Sequence, residues 1–365
     1  MIKQPSYKIA LVGEMLSRGG AERVQARLSV FFEEQGIEVH HIIVQDEVTY
    51  DYGGTLFNMG KLKNASNSVY NRFSRFRALK KYLKQHQFDY IIDFRVKNKF
   101  LQEYLIANYI YTTPYIMSIR SFNTHYYFPK NNFFASRIYK KAYGLVTVSK
   151  ALEDKIAQEY RYSRLKTIYN PIDIEEIKLK TASASPLEFK YFLGIGRMQD
   201  NIKQFDHLIM AFKNSLSIQR GFKLVLIGEG DHKQALIDLV SQEGIEASVR
   251  FISYQENPFP YLASAFATVL TSKNEGFPNV LIESLASGTP VIAYDCKSGP
   301  SEIIEQRKNG LLVEDQNRDE ISKAMDLLID NASLYSSLKE NAKPSIARFQ
   351  IEDIGIEWLK YLNIL

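Results

Sequence analysis

The sequence predicts an α/β protein built from two parallel-sheet domains. Three observations carry this expectation. Short apolar runs of strand length alternate with stretches of helical spacing, a repeat that implies a parallel sheet covered by helices. The alternation restarts after Thr181-Ala182-Ser183-Ala184-Ser185-Pro186, which is small and polar as linkers are. A chain of 365 residues is also long for one core and comfortable for two. The expected domains are 1–180 and 187–345, followed by a C-terminal segment, 346–365.

In the first half, 8–12 is an apolar strand, 13–20 a loop, and 21–34 a helix with Val24, Leu28, Phe31 and Phe32 on its apolar face. A second strand spans 38–44. Gly19-Gly20-Ala21-Glu22-Arg23 therefore lies at the carboxyl end of the first strand, the edge where open α/β sheets bind ligands. Paired glycines there permit close backbone approach. The pattern is not Gly-x-Gly-x-x-Gly, which excludes a nicotinamide site. Strands at 88–94, 114–119, 145–148 and 165–169 follow, with helices at 99–109 and 150–160. The loop after 119 offers Arg120 and His125 to a substrate. Tyr126, Tyr127, Phe128, Phe133, Phe134 and Tyr139 crowd the next stretch, either as an acceptor-side or membrane-facing aromatic surface or as core.

In the second half, strands at 191–195, 224–227, 249–252 and 268–270 all end near one edge. They lead into Gly196-Arg197, Gly228-Glu229-Gly230-Asp231, Ser253-Tyr254 and the stretch 274–294 respectively. That stretch reads as a Gly/Pro loop, a short helix opened by Pro278 and Asn279, a break at Gly288 and a buried strand at 291–293. Glu275 and Glu283 flank the helix start. Were the whole interval helical, they would lie about 12 Å apart along the axis, the span of one extended ligand. The helix start between them suits a phosphate.

Composition narrows the class further. Residues 1–180 carry a formal charge of +11 and residues 181–365 one of −6, so the first half is expected to meet an acidic partner. Residues 61–84 hold eight basic side chains and no acid, with Val69, Phe73, Phe76, Leu79 and Leu83 on one helical face. That pattern fits either a domain helix with a solvated basic face or a membrane-surface helix. No run of 18 apolar residues suggests a membrane span, and residues 1–7 lack the apolar core of a signal peptide. The single Cys296 cannot form an internal disulfide, which fits a reducing cytoplasm. The six histidines show no paired ligand spacing, so no metal is expected.

Glu275-Gly276-Phe277-Pro278-Asn279, followed by Glu283 and Gly288-Thr289-Pro290-Val291-Ile292, resembles the signature of the retaining glycosyltransferases of group 1. Gly19-Gly20-Ala21-Glu22-Arg23, Ile227-Gly228-Glu229-Gly230-Asp231 and Asn170-Pro171-Ile172-Asp173 are similar to further turns of that family. The resemblance implies the GT-B fold, in which two Rossmann-like domains face across a cleft and the last helix returns to the first domain. It also implies that Glu275 sits beside a donor sugar, with Arg197 and Lys203 on the departing diphosphate in place of a metal. The amides of Gly276, Phe277 and Asn279 would hold sugar hydroxyls, with Pro278 in the same donor-binding loop, and Glu283 would hold the ribose diol. Ile252 and Tyr254 would line the base, while Gly228 and Gly20 complete the donor set. Arg120 and His125 fall on the acceptor side.

Two departures from the family pattern stand out. Lys203 follows Arg197 by six residues where five are usual, and Phe266 occupies a position where Asp is common. The run Asp295-Cys296-Lys297-Ser298-Gly299-Pro300-Ser301-Glu302 resembles a subgroup that builds surface polysaccharides or lipid-linked oligosaccharides from UDP-sugars. The expected activity is metal-independent transfer of a hexose or N-acetylhexosamine from a UDP-sugar to an undecaprenyl-linked glycan. The expected location is cytoplasmic, peripheral at the inner membrane face, with an anionic membrane surface as a partner and no nucleic acid. No cofactor beyond the nucleotide-sugar donor is implied. Alternatives are a sugar-nucleotide epimerase of the same fold and a non-catalytic nucleotide-sugar-binding scaffold.

Overall fold

The computed structural model describes residues 7–64, 68–97, 99–162, 164–181 and 187–365. Linker positions 182–186 lie outside the described residues. The chain runs β1 (Lys8–Gly13), α1 (Gly20–Glu34), β2 (Glu38–Ile43), β3 (Thr55–Asn58), α2 (Val69–His86), β4 (Tyr90–Asp93), α3 (Phe100–Leu105), β5 (Tyr115–Ile119), α4 (Asn132–Ile138), β6 (Gly144–Thr147), α5 (Lys150–Tyr160) and β7 (Leu165–Thr167). It continues with α6 (Ile174–Thr181), β8 (Tyr191–Ile195), α7 (Phe205–Asn214), β9 (Lys223–Ile227), α8 (Lys233–Gln242), β10 (Val249–Ile252), α9 (Phe259–Ser264) and β11 (Ala267–Leu270). Last come α10 (Asn279–Ala286), β12 (Val291–Tyr294), α11 (Pro300–Ile303), β13 (Gly310–Val313), α12 (Arg318–Asp330), α13 (Ala332–Ser345) and α14 (Ile351–Tyr361).

The chain forms two compact units, Met1–Pro171 with Ile351–Leu365, and Ile172–Gln350. The division falls at Pro171–Ile172 because α6 packs on α9 and α10 of the second unit, ahead of the small polar stretch. In the first unit a seven-stranded parallel sheet has the order β3-β2-β1-β4-β5-β6-β7. In the second, six parallel strands have the order β10-β9-β8-β11-β12-β13. The strand sequences are near-continuous apolar runs because helices cover both faces; Ile9, Ala10 and Leu11 are completely buried.

α1 turns Val24, Leu28, Phe31 and Phe32 into the first core, where Trp358 and Leu359 of α14 join them. A Cβ at Gly355 would come within 2.3 Å of the Phe31 ring, so only glycine lets α14 approach α1 this closely. α2 buries Leu79 and Leu83 but leaves Tyr70 and Phe73 at 83% and 57% exposure. Its N-terminal half therefore has an apolar face that its own unit does not cover.

Three features depart from the sequence expectation. β3 is an added edge strand whose residues are only half-buried, which leaves it without a clear apolar signal. The helix expected at 99–109 is a short α3 followed by a π turn at Ile106–Ile110. The histidines also come together where no spacing signalled it, for ligand atoms of Glu38, His40 and His86 lie within 4.8 Å of one another. Glu38 is engaged by Lys8 at 2.9 Å and His40 by Tyr82 at 2.6 Å, so these contacts already form a polar cluster at the amino edge of the sheet.

His41 is fully buried beside Gln25, whose side-chain amide donates to Nδ1 at 2.9 Å. Burial pushes its pKa down to about 4. The folded value lies below the ordinary 6.5, so neutral His41 contributes fully above that pH and its contribution is lost as pH falls toward 4. We predict a loss of about 3 kcal/mol across that window. Denaturant unfolding at pH 7.5 and 4.5 checks this, and His41→Leu should flatten the dependence. An equally steep fall in that variant would contradict the assignment.

Candidate active site

In the second unit the strand order reverses between β8 and β11, the point of an open α/β sheet at which ligands bind. The 196–204 loop comes from β8 and the 271–278 loop from β11. They are tied together by backbone and side-chain bonds. Lys273 N–H donates to Ile202 O at 2.9 Å, and Thr271 Oγ1 donates to the carbonyls of Lys203 and Gln204 at 3.0 and 2.9 Å. Gln204, in the left-handed region with φ 46°, turns the chain into α7. Lys203 Nζ then meets Glu275 Oε1 at 2.5 Å, with both side chains largely buried. The extra residue between Arg197 and Lys203 is thus absorbed in the loop, and Lys203 reaches the acid. Arg197 is exposed just beyond Gly196. Among the described residues it makes no ion pair.

The glycines around this pair make room for backbone. A Cβ at Gly228 would lie 2.0 Å from Gly196 O, and Gly228 N–H donates to Ile252 O at 3.0 Å. Gly230, with φ 151°, lies against Met198 and Gln199 just as closely. The loops after β8, β9 and β10 therefore stack edge to edge. Tyr254 follows at 40% exposure.

Glu275 to Pro278 is a loop and not the start of a helix, since α10 begins at Asn279 with Pro278 as its N-cap. The loop is backed by the 295–300 turn. Ser298 Oγ donates to Gly276 O at 2.8 Å, and Gly299, with φ 99°, leaves space that a Cβ would take from Pro278. Phe277 turns its ring inward onto Phe349, with centroids 5.3 Å apart, so anything it offers a ligand comes from its backbone. Glu283 is 93% buried on α10, which rules out a merely solvated helix acid. A carboxylate in such a place is costly unless bonded. Cys296 lies beneath the site, and burial followed by the Glu275 charge pushes its thiol up to about 12. It is a packing residue. Phe266 is also structural, stacked on Tyr335 with ring centroids 4.1 Å apart.

In the first unit the strand order reverses between β1 and β4. Gly20 opens α1 at that edge. Arg120 is held by Asn170 Oδ1 at 2.7 Å and lies over the Phe94 ring at 5.5 Å. Burial lowers its pKa to about 10. His125 is exposed on the same loop.

Sequence reasoning missed the strongest electrostatic feature, which follows β4. Asp93 is completely buried and accepts from Arg95 Nε and Nη2 at 3.1 and 2.8 Å, from Tyr111 at 2.8 Å and from Lys97 at 3.0 Å. Arg95 also pairs with Glu103 at 3.1 Å. Burial pushes the Asp93 carboxyl up, but Arg95 and Lys97 beside it outweigh this and hold it well below the usual carboxylate range. The every-second-residue spacing of 93, 95 and 97 in an extended segment was the available signal.

Two Rossmann-like parallel-sheet units, each with a switch point in its strand order, are the architecture of the GT-B fold. The family profile described as "Glycosyl transferases group 1" matches residues 175–344, and that of "Glycosyltransferase Family 4" matches 18–176. Together the two glycosyltransferase profiles span residues 18–344, and the chain is a glycosyltransferase whose second unit matches group 1.

It is 29% identical over 371 residues to an N-acetylgalactosamine-N,N'-diacetylbacillosaminyl-diphospho-undecaprenol 4-alpha-N-acetylgalactosaminyltransferase of Campylobacter jejuni, covering 97% of this chain and 99% of that one. Its fold matches that of a glycosyltransferase from Rickettsia africae with a TM-score of 0.80 at 16% identity, over 99% of both chains. It also matches Anabaena HepE in complex with UDP-glucose, with a TM-score of 0.77 at 18% identity, over 98% of this chain and all of that one.

Proposed function

We propose that this protein is a retaining transferase that moves a hexose or N-acetylhexosamine from a UDP-sugar to an undecaprenyl-diphosphate-linked glycan in surface polysaccharide assembly. The observation that carries the proposal is the Lys203–Glu275 pair at the switch point of the second unit. Lys203 and Arg197 supply positive charge for the departing diphosphate. Glu275 faces the donor sugar and favours positive charge at its anomeric carbon. Glu283, buried on α10, binds the ribose diol. In the transfer, the bond from anomeric carbon to diphosphate oxygen breaks and the acceptor oxygen bonds to the same face. The acceptor proton passes to the leaving phosphate.

The α-transfer and the undecaprenol carrier in the Campylobacter relative's name support the stereochemistry and the acceptor class. UDP-glucose in the HepE complex supports the donor class. A membrane-surface location draws support from the basic first half and from exposed Tyr70 and Phe73 beside the basic residues of α2. No helix among the described residues is long and apolar enough to cross a membrane.

A thermal-shift panel of UDP-, GDP- and ADP-sugars tests the donor. A UDP-sugar at about 100 times its Kd should raise the unfolding temperature by roughly 5–10 °C. A larger rise with a GDP-sugar would refute the UDP assignment.

A further inference from the structure

Beyond β4 and β5 the first unit carries a cavity of about 300 Å³. Its lining includes Lys97, His125 and Lys130 together with Phe100, Tyr127 and Phe128. The cavity lies at the carboxyl edge of the sheet, beside the β1/β4 reversal. Lys97 is buried and fixed in place by Asp93 and the carbonyl of Arg95, while His125 and Lys130 are exposed at the rim. Residues 93–141 hold eight Lys and Arg against two acids, Asp93 and Glu103, and both acids are bound by Arg95, Asp93 also by Lys97. Among the described residues lining the cavity there is no carboxylate, and with Lys97 paired to Asp93 it is Lys130 at the rim that is placed to meet an anion.

Its apolar wall continues outward. Phe100 packs on Tyr104 at 6.2 Å and on Phe134 at 5.6 Å, and Phe134 on Phe133 at 5.5 Å. Tyr104 in turn meets Tyr109 at 6.5 Å. This connected apron is solvent-facing, with Phe133 59%, Phe134 48% and Tyr109 58% exposed, and Leu101 beside it is 69% exposed. Arg137 lies over Phe133 at 3.7 Å, placing a further cation at its margin. A contiguous exposed apolar surface of this kind marks a binding site, and its cationic border selects an anionic amphiphile.

We propose that the cavity binds the phosphate end of an isoprenoid diphosphate and that the aromatic apron takes the first units of its apolar tail. This rests on the lipid-linked-acceptor reading above and specifies where that carrier is held. The cationic lining contacts the phosphate oxygens, and the rings cover the chain as it leaves the cavity.

Binding of farnesyl diphosphate, inorganic diphosphate and farnesol would be measured with UDP present in saturating amounts to occupy the second unit. Farnesyl diphosphate should bind more tightly than either fragment. Lys130→Glu should weaken it by about tenfold or more, the loss expected for one charge-assisted contact. Phe133→Ser with Phe134→Ser should weaken farnesyl diphosphate and leave inorganic diphosphate unchanged. Photo-crosslinking with a benzophenone farnesyl diphosphate should label peptides within 97–139.

Unchanged affinity in both variants would overturn the proposal, as would label confined to other peptides. Inorganic diphosphate binding as tightly as the farnesyl ester would remove the tail from it. UDP affinity, measured on each variant, separates the two readings. Failure of the wild-type protein to bind UDP would count against the donor site, and UDP binding beside a failed farnesyl diphosphate response would count against this cavity alone.

Discussion

Replacing Glu275 by Gln should lower sugar transfer by roughly two to three orders of magnitude, the scale on which one preorganised electrostatic group acts. Lys203→Ala should cause a similar loss. The two side chains form a single ion pair at 2.5 Å, so their effects should not add. The double variant should be little worse than either single one. Lys203→Ala strands a mostly buried carboxylate and should also cost about 1–3 kcal/mol of stability. Glu275→Gln keeps the shape and should cost less. Measuring kcat and KM separately distinguishes the roles. Loss in kcat with UDP affinity retained fits action on the sugar, whereas loss confined to KM would reduce Glu275 to a binding group. Glu275→Gln with full activity would remove it from the chemistry.

The largest stability effect is expected at Asp93. Asp93→Asn leaves Arg95 and Lys97 buried beside a neutral amide. Breaking a buried ion network in this way costs about 3–5 kcal/mol. The folded carboxyl is held below its ordinary 3.8, so its contribution is complete above that pH and declines only as pH falls further. The loss in Asp93→Asn should therefore be the same at pH 5 and pH 8, unlike the loss expected from His41. Replacing Asp93, Arg95, Lys97 and Glu103 together by apolar residues should recover much of the stability, because the desolvation cost disappears along with the pairing. Chemical unfolding of the two variants checks this. A change under about 1 kcal/mol in Asp93→Asn would show that solvent reaches the network and screens it.

The sheets were legible in the sequence because parallel strands buried on both faces are written as unbroken apolar runs. β3 was not, since an edge strand with half-buried residues has no such run. The loops after β8 and β11 could be placed at one edge from strand order alone, and the family resemblance supplied their roles. The Lys203–Glu275 contact itself needed the structure, because it depends on how the 199–204 loop folds over Gly196. For Phe277 the resemblance implies a backbone contact to the donor, and its ring, packed on Phe349, leaves the backbone for a ligand. Arg120 is held by Asn170 and lies over Phe94, contacts between segments far apart in the chain that no spacing signals. Asp93, Arg95 and Lys97 went unremarked because each, taken alone, looks like ordinary surface charge. Only tertiary burial makes them a network.

The central claim is transfer with retention from a UDP-sugar to a glycan on an isoprenoid diphosphate. Its most direct test is to incubate the protein with a UDP-hexose or UDP-N-acetylhexosamine and a short isoprenoid-diphosphate-linked saccharide, and to read the anomeric configuration of the new linkage by proton NMR. Retention predicts one added sugar in α linkage, formed in step with UDP release and absent in Glu275→Gln. A β-linked product, or UDP release with no sugar transferred to the carrier, would contradict the account.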